Sequence, residues 1–340
     1  MNFRSLPKAE LHLHLDGSVR PATVLELAAE AGVPMPSETL EGLTRYLEAP
    51  DDCPSLRAYI EYFKLPIAVM QSIPALERVT IELCQDLKAD GVRYAELRYG
   101  PWLHVERGLT IDDVIAATVR GFQEGRRQTG IEGGIIVTAI RTMPPDMNVS
   151  LAQAAGRFAG DGVIGFDLAG DEEGHPPGLH EDAFRVARSL GLSLTIHAGE
   201  AAGPESVRQA IALGARRIGH GIRTQEDPEV LALARDEGVQ FDTAPTSNFQ
   251  TKAVRRLEDH PLRRYAGQGI KVTISTDSRT VSRTALSDEY RKAVEVLGCS
   301  ESEVRAMNLQ ALDGGFADQA VRARLRRDFL PDPSTQASSK

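Results

Sequence analysis

Leu192-Ser-Leu-Thr-Ile-His197-Ala-Gly-Glu200 is an apolar run that ends abruptly in a histidine, two small residues and a carboxylate. Apolar residues at 192, 194 and 196 alternate as on a strand, and Ala198-Gly199 permits a tight turn. His197 and Glu200 are therefore expected to face one pocket just beyond the C-terminal end of a strand. An imidazole there suits a metal ion, and a carboxylate suits proton transfer. A core histidine followed by a surface glutamate is the plain alternative, and this segment alone does not separate the two.

Working outward, strand and helix patterns alternate on both sides. Downstream lie a helix over 206–213, the short strand Arg217-Ile-Gly-His220-Gly, a helix over 229–237, a strand over 239–244 and the strand Ile270-Lys-Val-Thr-Ile-Ser-Thr-Asp277. Upstream lie the strand Val163-Ile-Gly-Phe-Asp167-Leu-Ala-Gly170, a helix over 151–158, a strand over 133–141 and a helix over 110–129. Before these come a strand over 91–99, carrying Glu96 and Arg98 at alternate positions, and a helix over 76–89.

The outermost strand on the N-terminal side is Ala9-Glu-Leu-His12-Leu-His14-Leu-Asp16-Gly17, whose alternation places His12, His14 and Asp16 on one face. Two histidines at i and i+2 on a strand can converge on one metal, and the flanking leucines place this strand inside; two surface histidines on an edge strand are the alternative. A helix over 21–31 follows, opened by Pro21 and closed by Gly32. Next come an irregular, proline- and acid-rich stretch over 33–54 and a helix capped by Ser55, with Leu56, Tyr59, Ile60 and Phe63 on one stripe. This 33–70 insertion is too long for a plain connection, and its stripe is either core or the wall of a pocket.

Eight such units imply an α/β protein, a (β/α)8 TIM barrel over residues 1–330 with extra helices inserted after the first strand, and a disordered polar tail over 331–340. An open doubly wound sheet is the alternative, but no G-x-G-x-x-G turn follows the first strand. The unusual residues all fall at strand ends: His12 and His14 on the first, Gly170 on the fourth, His197 and Glu200 on the fifth, His220 on the sixth and Asp277 on the eighth. Three histidines and an aspartate at one rim form a nitrogen and oxygen donor set suited to catalytic zinc.

The 340 residues are 41% hydrophobic and 26% charged, with a formal charge of -9, so neither nucleic acid nor an anionic membrane is an expected partner and a small molecule is. Cys53, Cys84 and Cys299 are scattered and odd in number, as in a reducing compartment. The opening residues carry no signal-peptide apolar region and no apolar run approaches membrane-spanning length, so the expected location is the cytoplasm.

Taken together, His12-Leu-His14-Leu-Asp16-Gly-Ser, Asp167-Leu-Ala-Gly170-Asp-Glu, His197-Ala-Gly-Glu200, Ile218-Gly-His220-Gly, Pro245-Thr-Ser-Asn and Ser275-Thr-Asp277 resemble the adenosine deaminase family of amidohydrolase-type barrels, from about Leu6 to Phe329. The resemblance implies one Zn2+ per chain, held by His12, His14, His197 and Asp277. It makes Glu200 the proton donor to purine N1 and gives His220 the task of orienting or stabilising the attacking hydroxide. It turns His14, Asp16, Gly170 and Ser278 toward the substrate, with Asp16 on the ribose 5′-hydroxyl and the Gly170 backbone at purine N3. The implied reaction is hydrolytic deamination of a 6-aminopurine nucleoside, adenosine or 2′-deoxyadenosine, to the inosine product and ammonia.

One position departs from the family pattern: Ser278 stands where an aspartate or asparagine usually contacts purine N7. A 6-aminodeoxyfutalosine deaminase shares the same donor set and is the alternative reading. Adenine deaminases are disfavoured by Asp16, where they tend to carry glutamate. Zinc deaminases with the H-x-E and P-C-x-x-C signature are excluded by the missing cysteines. A phosphoesterase or lactonase on the same barrel would need a bridging lysine or glutamate on strand four, where this chain has Asp167-Leu-Ala-Gly. A non-catalytic nucleoside-binding protein would be expected to lack one of the metal or proton-transfer residues, and none is missing.

Overall fold

In the computed structural model, which describes residues 2–330, eight parallel strands hydrogen-bond in sequence order: β1 (Lys8–His14), β2 (Val92–Tyr99), β3 (Glu132–Ile140), β4 (Val163–Ala169), β5 (Ser193–Ala198), β6 (Arg217–His220), β7 (Gln240–Thr243) and β8 (Lys271–Ile274). The seam between the last strand and the first is closed just beyond β8. Leu13 bridges Asp277, the His14 N–H donates to the Asp277 carbonyl at 2.6 Å, and the Asp277 N–H donates to the His12 carbonyl at 2.9 Å. This is the expected (β/α)8 TIM barrel. The 331–340 tail lies outside the described residues.

Period-two alternation sorts the strand side chains. Leu11 packs outward in a cluster with Ala311, Leu312, Leu325 and Phe329 from the C-terminal helices, while Leu13, Leu97, Ile135, Phe166 and Ile196 join the main apolar layer. The alternate set faces the barrel interior and is polar rather than branched aliphatic. Arg217 Nη2 meets Glu96 at 2.5 Å and its Nε meets Asp242 at 3.0 Å, while Arg98 meets Asp167 at 3.1 Å, all fully buried. Such pairs are tolerated inside only when both charges are matched and hydrogen-bonded, which explains the charged alternation on β2.

Several stretches differ from the sequence reading: β8, expected over 270–277, ends at Ile274, three residues before Asp277, and the helix expected over 76–89 starts at Ile73. The irregular segment 33–54 contains a helix, Leu40–Leu47, capped by the Thr39 side chain and burying Leu43 and Leu47, one turn apart; the surrounding prolines and acids hid this short pattern. β1 stops at His14, and Asp16 opens a 3-10 turn, Asp16–Ser18, because the chain bends over the barrel mouth. The helix expected over 151–158 begins earlier and runs Pro145–Gly156, since Pro145 occupies a first-turn position where its missing N–H costs nothing. The helices Glu181–Ser189, Leu286–Glu295, Glu301–Gly314 and Gln319–Phe329 add to those read from the sequence. No helix among the described residues is long and apolar enough to cross a membrane.

Candidate metal and catalytic site

His12 and His14 come from the end of β1, His197 from β5 and Asp277 from just past β8, and one donor atom from each lies within 4.8 Å of the others. His12 Nε2 and His14 Nε2 each stand 3.3 Å from Asp277 Oδ1, and His14 Nε2 stands 3.1 Å from His197 Nε2. Burial holds the His12 imidazole well below its ordinary proton affinity and brings His14 down to about 3. Neutral imidazoles with inward lone pairs are what a metal requires. Both His12 ring nitrogens are buried without a hydrogen-bond partner, and a bound cation would satisfy the one that faces the cluster, Nε2.

The surrounding groups orient these donors. His197 Nδ1 meets Asp167 Oδ1 at 3.1 Å, so Nδ1 carries the proton and Nε2 keeps its lone pair. Burial would raise the Asp167 carboxyl, but His197 and Arg98 outweigh it and hold it below the usual carboxylate range. The Ser247 hydroxyl donates to Asp277 Oδ2 at 2.5 Å, leaving Oδ1 toward the cluster. Arg141 holds the His197 carbonyl from behind. Gly219 on β6 is a packing requirement, since a Cβ there would lie 2.7 Å from the His12 ring.

Glu200 and His220 meet beside the cluster, with Glu200 Oε2 3.3 Å from His220 Nε2 and Oε1 without a partner. Burial raises the Glu200 carboxyl well above its ordinary value, and the Asp277 carboxylate pushes the same way. The tautomer of His220 follows from Asn248. Its Oδ1 accepts the Ala244 N–H, so its Nδ2 faces His220 Nδ1 at 2.9 Å, and the His220 proton sits on Nε2. Burial brings His220 down to about 3, so at neutral pH it is a neutral N–H donor toward the pocket. His220 and Asp277 both have positive φ, 70° and 63°, a strained backbone held at the two strand ends.

Glu200, His220, His14, His197, Asp277, Asp16 and Gly170 all line one cavity of about 330 Å3. A larger hollow of about 750 Å3 around Glu258, Arg263 and Arg264 is open surface away from the cluster. Asp16 is buried with Oδ1 unpartnered, and burial pushes its carboxyl up to about 7. Ser278, by contrast, is fully buried behind Gly17, where an added Cβ would meet its Oγ at 2.3 Å; it does not line the cavity and its hydroxyl has no partner.

Leu56, Tyr59, Ile60 and Phe63 from the insertion form the apolar wall. Two polar contacts pin that wall across the mouth: Tyr59 Oη to Ser282 Oγ at 2.6 Å, and Arg57 Nε to Asp171 Oδ2 at 2.9 Å. Phe63 is only half-buried and its ring centroid lies 6.1 Å from that of His14. Phe63→Ala is therefore expected to raise KM for a nucleoside about tenfold with a small fall in melting temperature. Steady-state kinetics beside a thermal melt check this, and an unchanged KM with a large melting shift would place Phe63 in the core.

Sequence reasoning assigned no role to Asp167, Arg98, Ser247 or Asn248. The alternating charges on β2 signalled Arg98, and the other three sit inside quoted motifs, but their work is to hold other residues, which no spacing reveals.

A family profile described as adenosine deaminase matches residues 7–330. An adenosine deaminase of Vibrio vulnificus is 42% identical over 328 residues, covering 96% of this chain and 98% of the relative. Among solved structures, an adenine deaminase from Arthrobacter aurescens superposes with a TM-score of 0.89 at 28% identity, covering 95% of this chain and 98% of its own. An amidohydrolase from Burkholderia ambifaria with bound Zn superposes with a TM-score of 0.90 at 26% identity, covering 99% and 93%.

Proposed function

The chain belongs to the adenosine deaminase family, and from that premise we propose that its cavity takes adenosine or 2′-deoxyadenosine and one Zn2+. It is a hydrolytic aminohydrolase: adenosine and water give inosine and ammonia. The observation that carries the reading is that the donor cluster, a buried carboxyl with an unpartnered oxygen and an N–H-donating imidazole open into a single cavity of nucleoside size.

His12, His14, His197 and Asp277 would hold the metal, whose chemistry is to lower the pKa of a water from ~15.7 to ~7 and so supply a nucleophile at neutral pH. Glu200 donates its proton to purine N1, which makes C6 electrophilic. The His220 Nε2–H donates toward the oxygen arriving at C6 and restricts its direction of approach. As the C6–N bond breaks, the proton of the C6 hydroxyl passes to the amino nitrogen, C6=O forms and ammonia leaves, while the proton that the water gave up on becoming the nucleophile restores Glu200. Gly170, with φ 105°, brings its backbone to the N3 edge, and Asp16 accepts from the 5′-hydroxyl.

The charges at the mouth favour a nucleoside over a nucleotide. Arg57 and Lys64, the cations that line the cavity, are each already paired with a carboxylate, Asp171 and Glu61, which a 5′-phosphate would have to displace. The three cysteines form no disulfide and are buried, which supports a reducing, cytoplasmic setting. An ammonia-release panel of adenine, adenosine, 2′-deoxyadenosine, AMP and 6-aminodeoxyfutalosine tests the assignment. Adenosine and deoxyadenosine are expected to lead, with AMP at least ~10²-fold lower in kcat/KM. A panel led by any other member would overturn it.

A further inference from the structure

Glu172 follows Gly170 by two residues in the loop after β4, is 3% exposed, and takes no part in the chemistry above. Its Oε1 accepts the Gly199 N–H at 2.7 Å and the Ser206 hydroxyl at 2.6 Å. Its Oε2 accepts the N–H groups of Glu200 at 3.0 Å, Ala201 at 2.7 Å and Ala202 at 2.9 Å. Four consecutive backbone donors and one hydroxyl thus close around a single carboxylate from the neighbouring β/α unit.

Arg223 holds the carbonyl side of this turn, its N–H donating to the Gly199 carbonyl at 2.8 Å and its guanidinium to the Ala201 carbonyl, while Glu172 alone accepts the turn's four N–H groups. Gly199 has φ 70°, and the next helix, Pro204–Ala212, starts from Gly203 with no side-chain cap. We propose that Glu172 is a positioning residue: it moulds the 199–202 turn so that Glu200 is presented to the substrate ring at the height and angle that proton donation requires. The inference rests on Glu200 being that donor.

A carboxylate suits the task because it only accepts, and can take about four or five hydrogen bonds on its two oxygens. Glutamine has the same shape but one oxygen. With that oxygen at the Oε2 place, its NH2 group confronts the Gly199 N–H, donor against donor, and the turn must shift. A displacement on the order of 1 Å at a reacting group lowers a rate by up to ~10²-fold, while contacts to sugar and base, made from other loops, stay in place.

Glu172→Gln tests this, with kinetics on adenosine, zinc content, and amide hydrogen exchange over 199–202. Expected are a kcat lower by about 10- to 100-fold, KM within about threefold of the wild type, unchanged zinc content, and faster exchange confined to that turn. Ser206→Ala, which removes one of the five bonds, should lower kcat by about threefold; if Glu172→Gln does not fold, this variant decides. A folded Glu172→Gln with unchanged kcat overturns the proposal. So does loss of zinc together with exchange that rises across the barrel, which would mark Glu172 as a general brace. Unchanged kcat in Ser206→Ala, where it alone can be measured, overturns it too. A wild-type protein that releases no ammonia from adenosine would instead overturn the reading of function.

Discussion

Glu200→Gln lowers kcat for adenosine by at least ~10²-fold, the low end for a lost general acid, while zinc content and nucleoside affinity stay close to the wild type. The substitution keeps the shape of the side chain and its contact with His220 Nε2, and removes only the transferable proton. That proton is needed at N1 in the transition state far more than for binding, so the loss falls on kcat rather than KM. The pH profile gives a second readout. Burial and the neighbouring Asp277 carboxylate raise the proton affinity of Glu200, so the donor keeps its proton to a higher pH than an ordinary carboxyl and is lost as pH rises through its elevated value. The wild-type kcat is therefore expected to fall on the alkaline side, and Glu200→Gln to lack that limb. A variant retaining more than about a tenth of wild-type kcat with full zinc would mean that another group supplies the proton.

His12→Ala/His14→Ala is expected to abolish zinc binding and to lower kcat/KM by at least ~10³-fold, since no water is then activated at neutral pH. Metal analysis of the purified protein checks the first part, with one zinc per wild-type chain and none in the variant. Circular dichroism separates this from unfolding: both imidazoles are held neutral by burial, and the Asp277 carboxylate they face keeps the Ser247 hydroxyl on Oδ2. Two metals per chain, or unchanged occupancy in the double variant, would overturn the donor assignment.

The barrel was legible because its strands carry strong period-two patterns and because each chemically unusual residue falls at a strand end. Helix Leu40–Leu47 was not, since a two-turn pattern with buried leucines only at 43 and 47 gives too short a period to register among prolines. The convergence of His12, His14, His197 and Asp277 could be anticipated from their positions on β1 and β5 and just past β8. What could not be read was the support: Asn248 choosing the His220 tautomer, Asp167 choosing that of His197, and Glu172 gripping a turn that begins 27 positions later. Those relations depend on which loop overhangs which, and that is set by tertiary packing rather than by local pattern. Ser278 shows the converse. A motif position suggested a base contact, whereas the side chain is fully buried against Gly17 and is not among the residues that line the cavity.

The seam where Asp277 meets β1 has a consequence for how the protein comes into being. Glu10 and Thr276, 266 positions apart, are bonded across that seam, so the first strand made must wait for almost the last. At ~5–20 residues per second the delay on the ribosome is on the order of tens of seconds. During it β1 is an unpaired edge, but one studded with Lys8, Glu10, His12 and His14 on alternate positions, and charge on an open edge discourages pairing with a stray strand. A chain released before Asp277 has neither a closed barrel nor a complete donor set.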